Sequence, residues 1–260
     1  MNDRYPPSED QSEVPPPEFQ RDPNIVGNVR PERIAIKLPD ANPIVTYTIM
    51  GLTLAVFALQ FISQSFLGGD IPAALGMKIN ENIASGELWR LFTPMLLHGS
   101  IMHVGFNMYA LYIFGRRLER YFGYWRFLAL YLISGFAGNV ISMMFTESPS
   151  LGASTAIFGL LGAQGIFIYL NRGLFGNQTR QALQSIIMIA AINLLIGMSP
   201  GIDNWGHIGG LVAGLIFTWL GGPVLVPSGA VPYASLEDQR STNDILLAIA
   251  VTGGFFSILA

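Results

Sequence analysis

Residues 152–170 read GASTAIFGLLGAQGIFIYL, an apolar run rich in small residues with one serine near its head. A helix needs about 20 residues to cross a bilayer core of roughly 30 Å. From Ser154 to Leu170 there are 17 residues, about 25 Å at 1.5 Å per residue. Anchored at one surface by Arg172, such a helix stops short of the other, so Ser154 is sunk below the membrane surface. The preceding 146–153 loop must then dip to meet it. Backbone that leaves the helix inside a membrane is tolerated only where it lines a wet cavity.

The composition agrees with a membrane location. The chain of 260 residues is 51% hydrophobic and only 12% charged, about half the charge of a soluble domain. Its 29 glycines suit membrane helices, where glycine is frequent. A net charge of −3 and the lack of a basic cluster argue against nucleic acid as a partner. The absence of cysteine excludes disulfides, thiolate catalysis and thiolate metal ligands together.

Outward from the quoted run, long apolar stretches alternate with short polar breaks over 44–67, 98–115, 122–145, 154–170, 182–200, 205–221 and 245–260. These predict an all-α polytopic membrane protein. Residues 1–40, proline-rich with charges of both signs, are expected to form a disordered cytoplasmic tail. The helical core spans 41–222, and 223–260 is a cytoplasmic linker leading to a seventh transmembrane helix. Arg30, Arg33, Lys37, Arg116, Arg117, Arg120, Arg126, Arg172, Arg180 and Arg240 flank one side, while the other side has only Lys78 and Arg90. By the bias of basic residues, the N-terminus is cytoplasmic and the 68–97, 146–153 and 201–204 loops face outside. Trp89-Arg90 fits an aromatic and a snorkelling base at the interface.

Polar groups within the spans are costly and point to function, although Ser, Asn and His also bond helices together. Of the three histidines, His103 stands four residues before Asn107, on one face of the second helix. His98 belongs to that helix's entrance. His207 lies at a depth comparable to Ser154 on the sixth helix. Gly206, Gly210 and Gly214 form a small-residue ridge beside it, and Gly159, Gly162 and Ala163 thin the fourth helix. Small residues at this spacing let membrane helices approach closely.

Taken together, His98-x4-His103-x3-Asn107, Gly152-Ala153-Ser154, His207-x2-Gly210-x3-Gly214, Gly115-x3-Glu119-x3-Gly123 and Trp89-Arg90 resemble the rhomboid family of intramembrane serine proteases. The resemblance covers roughly 44–222 and implies a six-helix bundle, here with a seventh C-terminal transmembrane helix. It implies a catalytic dyad of Ser154 as nucleophile and His207 as general base. It also implies an oxyanion hole from His103, Asn107 and the Ser154 N–H, the ring of Phe158 stacked on His207, and no cofactor or metal. His98 resembles a structural histidine tying the first outer loop to the helix, and the substrates implied are transmembrane proteins in the lipid bilayer. The departure is Thr155, where the family pattern usually has glycine. It either adds bulk between the fourth and sixth helices or caps the fourth.

Other readings fare less well. A zinc protease needs His-Glu-x-x-His, which His98–His103 does not supply. An aspartyl enzyme needs two membrane aspartates, and a transporter commonly shows intramembrane charges or paired broken helices. Asp203, one turn before His207, falls in the outer loop. The remaining alternative is a catalytically inactive relative that binds transmembrane helices without cutting them. A bacterial plasma membrane is the expected location.

Overall fold

Each predicted span is a helix in the computed structural model, which describes residues 42–229 and 234–260. The tail predicted over 1–40 lies outside the described residues. Helix α1 (Ile44–Phe66) leads into a folded segment, expected outside, of two short helices, α2 (Ile71–Gly76) and α3 (Asn80–Ala84), followed by two 3-10 turns (Leu88–Leu91 and Thr93–Leu96). Then come α4 (Ile101–Phe122), α5 (Tyr124–Phe145), α6 (Ser154–Leu170), the short α7 (Arg172–Phe175), α8 (Thr179–Ile196) and α9 (Asn204–Gly221). A hairpin of β1 (Leu225–Ser228) and β2 (Ser235–Asp238) precedes α10 (Thr242–Leu259). The helices Ile44–Phe66, Tyr124–Phe145, Arg172–Ile196 and Thr242–Leu259 are each long and apolar enough to cross a membrane. The protein is an all-α polytopic membrane protein.

Local chemistry moves several boundaries. The second span starts at Ile101 because Ser100 caps it, its hydroxyl accepting from the His103 N–H at 3.1 Å. It runs on to Phe122 because Arg116, Arg117 and Arg120, expected in a loop, are good helix formers. Gly123, at φ +73°, ends it and opens α5 directly. The fifth span begins at Thr179 and stops before Gly197. Residues 223–241, expected as a plain linker, hold the hairpin instead. Asn171 anchors it through Leu225 N–H (2.6 Å) and Pro223 O (2.9 Å), and Arg126 pairs with Asp238 at 2.8 Å. A reciprocal Ser241–Asp244 capping box then starts α10.

Helix α6 is apolar on every side, the pattern of a helix surrounded by protein, and Ala156, Leu160 and Ala163 are completely buried. It packs most closely against α9, with α5 on the flank of both. A Cβ on Gly210 would strike the carbonyl of Thr155, and one on Gly214 the carbonyl of Gly159. The expected ridge therefore brings backbone onto backbone. By contrast, α8 buries no residue and stands at the edge of the bundle.

Glu119 closes the other end. Its carboxylate is fully buried and accepts from Val45 N–H (2.8 Å), Thr46 N–H (2.8 Å) and the Thr46 hydroxyl (2.6 Å). It thus caps α1, whose own N-cap residue Pro43 offers no side-chain acceptor. Glu119→Gln puts an NH2 where one oxygen accepts, leaving buried donors facing each other. The substitution is expected to cost about 1–3 kcal/mol, seen as a lower Tm in detergent; an unchanged Tm would remove this role.

Candidate active site

Two helix starts converge at one end of the α6–α9 contact. Ser154 is the first residue of α6 and His207 lies in the first turn of α9. The Ser154 Oγ and His207 Nε2 are 2.9 Å apart, within reach for proton transfer. The ring of Phe158, one turn along α6, stacks on the imidazole at 4.3 Å between centroids and an interplanar angle of 10°. The sequence-predicted pair and its aromatic support are brought together.

Gly152 has φ +134° and its N–H bonds to Pro94 O at 2.9 Å. A Cβ there would lie 2.7 Å from His103 Nε2 and 3.6 Å from Ser154 Oγ. Both its conformation and its surroundings therefore call for glycine, and the space it leaves open is bordered by serine and histidine. Asn107 lies one turn below His103, and Asn107, His103, Ser154 and His207 all line one cavity of about 1230 Å³. Ala153, the N-cap residue just before α6, offers no side-chain cap. The first N–H groups of the helix, Ser154 among them, are left to face an anion. An arrangement of this kind can hold a negative charge beside a serine hydroxyl.

From the dyad the cavity continues between α4 and α8, past Phe106, Ala110 and Ile113 on one side and Ile186 and Ile189 on the other. An apolar slot of this kind suits an extended apolar ligand.

His98 precedes α4 and is buried. Its N–H donates to Gln60 Oε1 (3.0 Å), and its Nε2 accepts from Ala153 N–H (3.4 Å). It joins α1 to the head of α6, and also packs edge-on against His103 at 4.9 Å. Trp89 is half exposed, with its Nε1–H donating to Leu75 O at 3.0 Å. Arg90, expected to snorkel, is buried instead. Its guanidinium donates to Met77 O and Ala74 O (both 2.9 Å), satisfying the last carbonyls of α2, and pairs with Glu87. Neither Trp89 nor Arg90 lines the cavity. Asp203 caps α9 through Gly206 N–H (2.9 Å) and also accepts from the Ser142 hydroxyl. His207 Nδ1 has no hydrogen-bond partner among the described residues, so no acidic side chain is bonded to it there.

Thr155 does not cap α6; its buried hydroxyl has no partner among the described residues. Its side chain fills the gap between two glycines. A Cβ on Gly138 of α5 would collide with it, and one on Gly206 of α9 would lie 3.0 Å from its methyl. The bulk is matched by small residues across the contact. Thr155→Gly is expected to lower stability by about 1–3 kcal/mol through the void and lost helix propensity. Thr155→Val keeps the shape and removes the orphan hydroxyl, so its Tm should equal or exceed wild type. Thermal unfolding in detergent checks both, and a Val variant well below wild type would show that the hydroxyl is bonded.

Comparison with known proteins points the same way. A Rhomboid domain matches residues 85–224. The chain is 39% identical over 217 residues to "Rhomboid protease GluP" of Bacillus subtilis (strain 168), covering 83% of this chain and 40% of that protein. It is 39% identical over 223 residues to "RHOMBOID-like protein 7" of Arabidopsis thaliana, covering 78% of this chain and 71% of that one. "RHOMBOID-like protein 2" of the same plant is 46% identical over 166 residues, or 62% and 52% of the two chains. The chain thus spans about two fifths of the length of the Bacillus relative and of some plant ones, such as "RHOMBOID-like protein 4" at 42%. With its helical bundle, its Gly-ridged α6–α9 contact and this match over more than half its residues, the chain belongs to the rhomboid family.

Proposed function

We propose that the protein is an intramembrane serine endopeptidase that cuts single-span membrane proteins near the outer end of the span. The observation that carries this reading is the 2.9 Å contact between Ser154 Oγ and His207 Nε2 at an open cavity. Ser154 attacks the scissile carbonyl while His207 takes its proton. The tetrahedral oxyanion is held by the Ser154 N–H with His103 and Asn107. His207 then gives its proton to the leaving amine, and the acyl group remains on Ser154 as an ester. Water entering the cavity hydrolyses that ester with His207 as base, and Ser154 is regenerated. Phe158 holds the imidazole plane, and Gly152 keeps the oxyanion space clear.

The segment 41–222 carries the activity, with the hairpin and α10 bracing α9, where Gly221 meets Ala248. The apolar slot between α4 and α8 supports a transmembrane segment as substrate. A bacterial plasma membrane, N-terminus inside, fits the basic flanks and the Bacillus relative. The test is cleavage of a reporter transmembrane segment in detergent and in liposomes, together with fluorophosphonate labelling of Ser154. Cleavage and label are expected in wild type. A folded wild-type protein that neither labels nor cleaves would instead indicate an inactive binder of membrane helices.

A further inference from the structure

Lys78, one of two cations on the sparsely charged side, is completely buried in the segment between α2 and α3. Its backbone forms an isolated antiparallel bridge with Ser150, N–H to O at 2.9 Å and the return bond at 3.1 Å. Ser150 belongs to the loop that delivers Gly152 and Ser154. Its side chain runs the other way, Nζ donating to Ser142 Oγ at 3.0 Å and to Thr146 O at 2.8 Å. An ammonium can only donate and an ionised carboxylate can only accept. The Ser142 hydroxyl therefore accepts from Lys78 and passes its own proton toward Asp203. Asp203 caps α9 through Gly206 N–H, and its carbonyl accepts from His207 N–H at 3.2 Å.

Burial alone disfavours the charged amine of Lys78, and the negative charges of Asp203 and Glu81 oppose that cost. A buried cation with this pairing is expensive if its only purpose is cohesion. We propose that Lys78 is a positioning residue, whose backbone holds the Ser154 loop while its side chain, through Ser142 and Asp203, holds the start of the His207 helix, so that one residue sets the Ser154–His207 separation. This inference rests on the serine–histidine reading of the site.

The test uses the full chain in detergent, with a fluorophosphonate probe and the reporter transmembrane segment, at a temperature where thermal scans show each variant folded. Lys78→Met, Ser142→Ala and Asp203→Asn are each expected to slow labelling and lower kcat about tenfold or more, with KM little changed, because small misplacements of reacting groups are costly. Lys78→Met combined with Asp203→Asn should be no slower than either single variant, since both cut one connection. Should Lys78→Met unfold, Ser142→Ala, which removes a single hydroxyl, carries the test. Folded variants that label at nearly the wild-type rate, losses confined to KM, or losses that multiply in the double variant overturn the proposal. Wild type that fails to label overturns the dyad reading itself, a result distinct from wild type that labels alongside unaffected variants.

Discussion

Ser154→Ala is expected to lower cleavage of the reporter segment by about 10⁶-fold, to the background set by binding and the oxyanion donors, as for serine proteases whose nucleophile is removed. The physical reason is that, among the described residues, the hydroxyl bonded to His207 Nε2 is that of Ser154. His207→Ala should cost nearly as much, and the double variant little more than either single, because the two residues act as a unit. Neither substitution touches the α6–α9 backbone contact, so both proteins should unfold within a few degrees of wild type. Kinetics on the reporter, with the label as a check on the nucleophile, decide the matter. Retained turnover in folded Ser154→Ala would end the dyad reading.

The second large effect is structural and arises below the site. A side chain on Gly214 meets the carbonyl oxygen, carbonyl carbon and Cα of Gly159, all backbone atoms that have no rotamer to escape into. Gly214→Val must therefore push α9 away from α6. Overpacking usually costs about 1–3 kcal/mol, and a backbone-on-backbone clash belongs at the upper end. Because α6 carries Ser154 and α9 carries His207, their separation should also cost about 100-fold or more in kcat, with a clear fall in Tm. Gly253→Ala is the matched control. Among the described residues nothing lies within 4 Å of a Cβ at Gly253 of α10, and alanine is the better helix former, so stability and activity should hold. A Gly214→Val protein with wild-type Tm and turnover would show that the two helices do not pack as described.

Particular residues show how far the sequence could be read. Ser154 and His207 were legible because an apolar run of limited length sets helix position, and a small-residue spacing of four marks a face for close approach. The resemblance placed the Phe158 ring on His207, where it lies, whereas the closeness of Gly152 to His103 and Ser154 is visible only in the structure. The helix ends drifted where local caps decide them, as at Ser100 and Gly123. In the sequence Arg90 resembles an interface base, because composition alone cannot reveal the α2 carbonyls it satisfies. For Thr155 the sequence leaves open added bulk or a helix cap, and the glycines opposite it, Gly138 and Gly206, show bulk that fits. Lys78 counts in the sequence only as a loop charge, since a lone loop lysine is ordinarily solvated, and the strands of β1 and β2 are too short, at four residues each, to stand out.

By itself, the sequence determined that the chain is a helical membrane protein, which apolar runs form its helices, and which polar residues share a helix face, because run length and helical period are local properties. Only the tertiary structure decided which buried polar groups meet. Glu119 caps a helix more than 70 residues away, Lys78 links the loop of Ser154 to the helix of His207, and Thr155 fills the space of two glycines. Each buried donor, acceptor or methyl takes whatever partner folding brings to it, and those partners are distant in the chain.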